Sequence, residues 1–196
     1  MWKSIKLRVS PGFPLLVVLA VLAWAGPVLP PLLVAALCHE LGHLLALHWF
    51  GVPVREVVVL PLGALLVAPE QERLSYGREL GAVLAGPAAN LLLSVLFARL
   101  SADYVFAGAN FLLGLYNLLP IQGLDGGWAL YLLIAWLTEP FTAQRWSRLA
   151  SWTALAVLVG LAAALVVRTG GGWFFLLGAL GMVFSQIRVA KWSRRG

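Results

Sequence analysis

His39-Glu40-Leu41-Gly42-His43 interrupts an apolar run that holds no other Lys, Arg, Asp or Glu between Arg8 and Arg55. Ionisable groups cost free energy in hydrocarbon and are kept there for chemistry. On a helix, His39 and His43 share one face about one turn apart. Glu40 sits about 100° round from His39 and about 60° from His43. Two imidazoles so placed can reach one Zn²⁺ while the carboxylate flanks it, able to accept a proton from water at the metal. His48, nine residues from His39, points to the opposite side and reads as an interfacial histidine. Cys38 points about 100° away from His39 and reads as a small buried hydrophobe.

The rest of the chain supplies the hydrocarbon setting. Of its 196 residues 61% are hydrophobic and only 11% charged, against about 25% charged in soluble domains. A span needs about 20 apolar residues. Six are expected, over residues 13–29, 32–50, 80–100, 104–137, 149–167 and 173–187, the fourth interrupted. The architecture predicted is an all-α polytopic membrane protein, with a short β-hairpin between the second and third spans. That hairpin rests on residues 52–60, rich in β-branched side chains, and on residues 62–67 beyond Pro61. No polar linker divides the chain, so residues 1–196 are expected to form one domain.

The net charge of +6 does not point to nucleic acid, because the basic residues cluster at the ends of apolar runs and form no stripe. With the N-terminus inside, twelve of the fourteen Lys and Arg fall on the cytoplasmic side. Only Arg99 and Arg168 lie outside. Both termini are therefore expected on the cytoplasmic side of a multi-pass membrane protein. Lys3, Lys6 and Arg8, with the apolar stretch reaching Ala23-Trp24-Ala25, also have the form of a signal peptide. A retained first span fits a chain made of spans better. Cys38 is the single cysteine and forms no internal disulfide.

A hydrolytic zinc wants three protein ligands and one open position. Of the eight acidic residues, Glu56, Glu70, Glu72 and Glu79 belong to the cytoplasmic segment. Asp103 and Glu139 flank the fourth span. Asp125 alone lies between two apolar stretches, in Asn117-Leu118-Leu119-Pro120-Ile121-Gln122-Gly123-Leu124-Asp125-Gly126-Gly127. Pro120 and three glycines break the helix there, as happens where backbone lines a functional cavity. In the third span, Gly86-Pro87-Ala88-Ala89-Asn90 offers small residues for close helix approach and an Asn90 amide that can bond across to a neighbour or help position a substrate.

These three motifs, in this order, resemble those of the site-2 protease family of intramembrane zinc metalloproteases, and the pattern is similar to the bacterial branch typified by the stage IV sporulation protein FB. The resemblance implies one zinc per chain, held by His39, His43 and Asp125, with Glu40 activating the water. It implies that Asn117 helps hold the substrate. The substrates implied are membrane-embedded or membrane-tethered proteins, among them a transcription factor precursor or its regulator. The lipid bilayer and a regulatory membrane partner complete the expected partners. That branch commonly carries a nucleotide-binding module after the last span; this chain stops at Gly196, so the module is not expected. An extended peptide needs a backbone partner before it is cut. Residues 54–60, with Val58 at their centre, could supply it by strand addition. A transporter, a metal-handling protein or a non-catalytic scaffold is the competing reading. The fifth and sixth spans offer almost no polar path, and Glu40 is intact, which favours the enzyme.

Overall fold

The computed structural model of the protein describes residues 6–9, 29–54, 56–60, 63–67, 74–101 and 103–192. All but Leu29 of the expected first span lies outside them. The chain divides into two compact units, Met1–Leu118 and Leu119–Gly196.

In the first unit, helix α1 runs Leu29–Trp49. Pro30 and Pro31 occupy its first turn, where a missing N–H breaks no helix bond. Its end is closed by Gly51 at φ 76°. The Gly51 N–H donates to His48 O and the Val52 N–H to Leu47 O, the paired capping bonds that a left-handed residue allows. The inner face carries Ala35, His39, Gly42 and His43, all buried, while Leu37, Leu41, Leu45 and Trp49 form an exposed stripe. Helix α2, Tyr76–Leu100, repeats the pattern: Ala82, Gly86, Asn90 and Ser94 lie inward, with Leu92, Val95, Leu96 and Leu100 exposed. Helix α3, Tyr104–Asn117, buries Ala107, Asn110 and Gly114. Its start is capped by Asp103, whose Oδ1 accepts from the Phe106 N–H at 3.0 Å. Small and polar inside with leucine outside is the reverse of a water-soluble bundle. Lipid tails offer no drive to bury leucine, so helices there meet through small residues and polar bonds.

Strand β1 (Lys6–Val9), β2 (Glu56–Leu60) and β3 (Gly63–Val67) form one sheet in that order. β2 and β3 pair antiparallel, with Val58 opposite Leu65; β1 pairs parallel to β2, with Arg8 opposite Val58. The third strand was not expected, since Lys6 and Arg8 read only as flanking charges. Four residues joined by a parallel, long-range pairing leave no local signal. One consequence corrects the reading of Val58. Both edges of β2 are occupied, so a further strand can add only at the outer edge of β1 or of β3.

The expected fourth span is two helices, α3 and α4, the latter Asp125–Leu137. At 14 and 13 residues each is about 20 Å long, short of the roughly 30 Å hydrocarbon core. In the second unit α4 is followed by α5, Pro140–Thr169, and α6, Trp173–Trp192. The non-helical residues 119–124 are held from the side: Ser151 Oγ, on α5, accepts from the Gln122 N–H at 2.8 Å and also from Gln186 Nε2 on α6. Ser151 and Gln186 are both buried. Among the described residues α1, α2 and α5 are long and apolar enough to cross a membrane, and the second half of the chain adds two shorter apolar helices. The protein is an integral membrane protein.

Candidate metal centre

The close approach of α1 and α2 creates the site. A side chain at Gly42 would place its Cβ 2.6 Å from Ala85 O, and one at Gly86 would fall on the imidazole of His43, 2.7 Å from Cε1 and nearer still to Nε2. Pro87, inside α2, removes one helix bond and opens the turn before it. The carbonyl it leaves without a helix partner is that of Val83, next to Ala82, whose own carbonyl accepts from His43 Nδ1 at 2.8 Å.

His39 is held from its other side. Its Nδ1 lies 2.7 Å from Asn90 Oδ1, while Asn90 Nδ2 donates to Ala35 O and to Asn110 Oδ1, both at 2.9 Å. A backbone carbonyl only accepts, so His43 must donate from Nδ1. The Asn90 nitrogen is committed to two oxygens, so its own oxygen faces His39, which also donates from Nδ1. With Nδ1 engaged in each ring, Nε2 is the nitrogen that each turns to the other. The two Nε2 atoms stand 3.2 Å apart, with the rings crossed at 83°. Two nitrogens bound at about 2.05 Å to a tetrahedral zinc would be about 3.3 Å apart.

The other candidate residues are placed as follows. Glu40 is half-buried beside this pair on α1. Asp125 belongs to the second unit, half-buried in the first turn of α4, where the helix dipole favours a carboxylate. Asn117 closes α3, its Nδ2 donating to Leu113 O at 3.0 Å. His48 is exposed and Cys38 half-buried. Asn90 is corrected: it is fully buried, and both ends of its amide are bound within the bundle, so its partner is His39 and not a substrate.

Three participants were missed in the sequence. Asn110, Ser151 and Gln186 are polar residues inside apolar runs, and that alone was the available signal. Nothing local said which neighbour each would meet.

The chain is similar in sequence and in fold to known proteins. Residues 101–161 match the model of Peptidase family M50. The chain is 30% identical over 139 residues to the stage IV sporulation protein FB of Bacillus subtilis, covering 67% of this chain and 48% of that protein. To a zinc metalloprotease of Methanocaldococcus jannaschii it is 26% identical over 107 residues, covering 49% of this chain and 31% of that protein. It thus spans about half the length of the first of these relatives and about a third of the second. The solved site-2 protease from Methanocaldococcus jannaschii has the same fold, with a TM-score of 0.63 at 20% identity over 94% of this chain and 91% of that one. With the three motifs, these matches make the chain similar to peptidase family M50 in sequence and to a site-2 protease in fold.

Proposed function

We propose that this chain is an intramembrane zinc endopeptidase that hydrolyses peptide bonds of membrane-embedded or membrane-tethered proteins. His39, His43 and Asp125 hold one zinc ion, and Glu40 is the general base. The observation that carries this reading is the pair of Nε2 atoms 3.2 Å apart, with both Nδ1 protons given to acceptors. In the Nδ1-protonated tautomers both Nε2 atoms offer a lone pair to one cation. Two nitrogens and a carboxylate are the donor set of a hydrolytic zinc with one position open. We treat residues 1–196 as one catalytic domain.

When bound, zinc supplies a Lewis acid that polarises a scissile carbonyl and brings the pKa of water towards about 7. Glu40 takes the proton of the attacking water and passes it to the leaving amine. Asn117 keeps its nitrogen on Leu113 O, and we assign its oxygen to a peptide N–H of the substrate. The exposed leucine stripes bury in the bilayer, and the basic residues put both termini on the cytoplasmic side of a bacterial membrane.

The sheet supplies backbone partners for an unwound substrate at an outer edge, β1 or β3. Val58, at the centre of β2 with Arg8 and Leu65 as its register partners, belongs to the strand that keeps those edges in place. Val58→Pro removes a central N–H and should lower cleavage while zinc content stays constant. Unchanged cleavage would remove the sheet from the mechanism.

Elemental analysis of the purified protein tests the metal assignment. Wild type should hold about one zinc per chain. His43→Ala and Asp125→Ala should each lose it at equal protein yield. Wild type that carries no metal after mild purification, and takes none up, would overturn the reading.

A further inference from the structure

We infer that Asn110, acting through Asn90, is a positioning residue that keeps His39 in its metal-binding tautomer before any metal arrives. This deepens the zinc reading and rests on it.

The inference starts from two backbone carbonyls, which cannot exchange donor for acceptor. Phe106 O accepts from Asn110 Nδ2 at 3.0 Å. That commits the Asn110 nitrogen and turns its oxygen toward Asn90, whose Nδ2 donates to it at 2.9 Å. Ala35 O accepts from the same Asn90 nitrogen, also at 2.9 Å. Asn90 is thereby fixed with its oxygen outward, and that oxygen meets His39 Nδ1 at 2.7 Å. The proton of His39 must sit on Nδ1, and its lone pair on Nε2, the atom that faces His43.

Each link has one sense. An amide is nearly symmetric in shape, so a lone Asn90 beside His39 could turn over and donate to it. Turned over, it would set its own oxygen against Ala35 O and Asn110 Oδ1, three acceptors with no proton among them. Asn110 is what makes the second of these conflicts, and Phe106 O keeps Asn110 from turning over to relieve it. Both amides are fully buried, so no water is at hand to mediate. The relay ties α1, α2 and α3 together, yet simple helix adhesion would need no particular polarity. The polarity matters only to the imidazole at its end. Outer groups that orient a metal-binding histidine in this way raise affinity about 10–100-fold.

The test uses the whole chain in detergent, which has three histidines. Protein is labelled with ¹⁵N-histidine, stripped of metal, and held near pH 8, where an ordinary imidazole is neutral. The ring nitrogens are assigned by substituting His48. In wild type the His39 proton should reside on Nδ1. In Asn90→Leu it should distribute over both nitrogens, and zinc affinity should fall about 10–100-fold. Asn110→Leu should shift the tautomer in the same direction, with a loss nearer tenfold. Asn110→Asp keeps an acceptor for Asn90 and should restore the wild-type tautomer and most of the affinity. A wild-type His39 protonated on Nε2 overturns the inference whatever the variants do. So does an Asn110→Leu protein that melts earlier but keeps both tautomer and affinity, which is what a packing role alone predicts. A wild type with the expected tautomer that binds no zinc would sink the enzyme reading and leave the relay standing.

Discussion

Replacing Glu40 by Gln should abolish peptide cleavage and leave the zinc bound and the protein folded. Gln matches Glu in size and still fits the half-buried position beside His39 and His43. It has no basic oxygen to take a proton. Losing a general base costs about 10²–10⁴-fold in rate, and here the same group is asked to return the proton to the leaving amine, so the upper end applies. The imidazoles are untouched, each still held by its own acceptor, Asn90 Oδ1 or Ala82 O. Cleavage of a membrane-tethered substrate in liposomes, set beside zinc content and thermal melting, separates the outcomes. Near-normal turnover would show that Glu40 is not the base. Loss of the metal together with the activity would make Glu40 a ligand and reopen the choice of the third donor.

How legible each feature was depends on how local its cause is. His39 and His43 could be set on one face because helix period alone does it. The break in the fourth span was legible from Pro120 and Gly123, which takes φ 98°, whereas Gly126 and Gly127, also read as breakers, fall inside the first turn of α4. The Asn90–His39 bond was out of reach for a different reason. The two residues are 51 positions apart, and only the small residues at Gly42 and Gly86 bring α1 and α2 near enough to join them. The same packing withdrew Asn90 from any substrate. β1 was hidden because Lys6 and Arg8 carry a charge signal stronger than that of a four-residue strand. Ser151 was passed over because a hydroxyl in an apolar helix can bond back to its own backbone. Its task of holding Gln122 exists only once α5 lies beside the unwound loop.

Gly86→Ala makes the second large prediction, because one methyl group there enters the metal centre. Its Cβ would overlap the His43 ring at Nε2, Cε1 and Cδ2. Two responses are open. The ring can swing away, which gives up the bond from Nδ1 to Ala82 O and takes Nε2 out of reach of His39. Alternatively α1 and α2 can separate, but Gly42 against Ala85 O and Ala89 shows that the two helices meet over more than one turn. Overpacking of this kind costs about 1–3 kcal/mol. Either response loses the 3.2 Å pairing of the two nitrogens, so zinc affinity should fall by about 100-fold, the upper end of what disturbing the surroundings of a metal-binding histidine costs. Gly160→Ala is the control, since a Cβ there meets nothing within 4 Å. It should bind zinc as wild type does and melt at an equal or higher temperature, because Ala is the better helix former. Titration of both variants with a competing chelator reads the difference directly. A Gly86→Ala protein with wild-type zinc affinity would mean that His43 does not occupy the position against α2 on which the metal site is built.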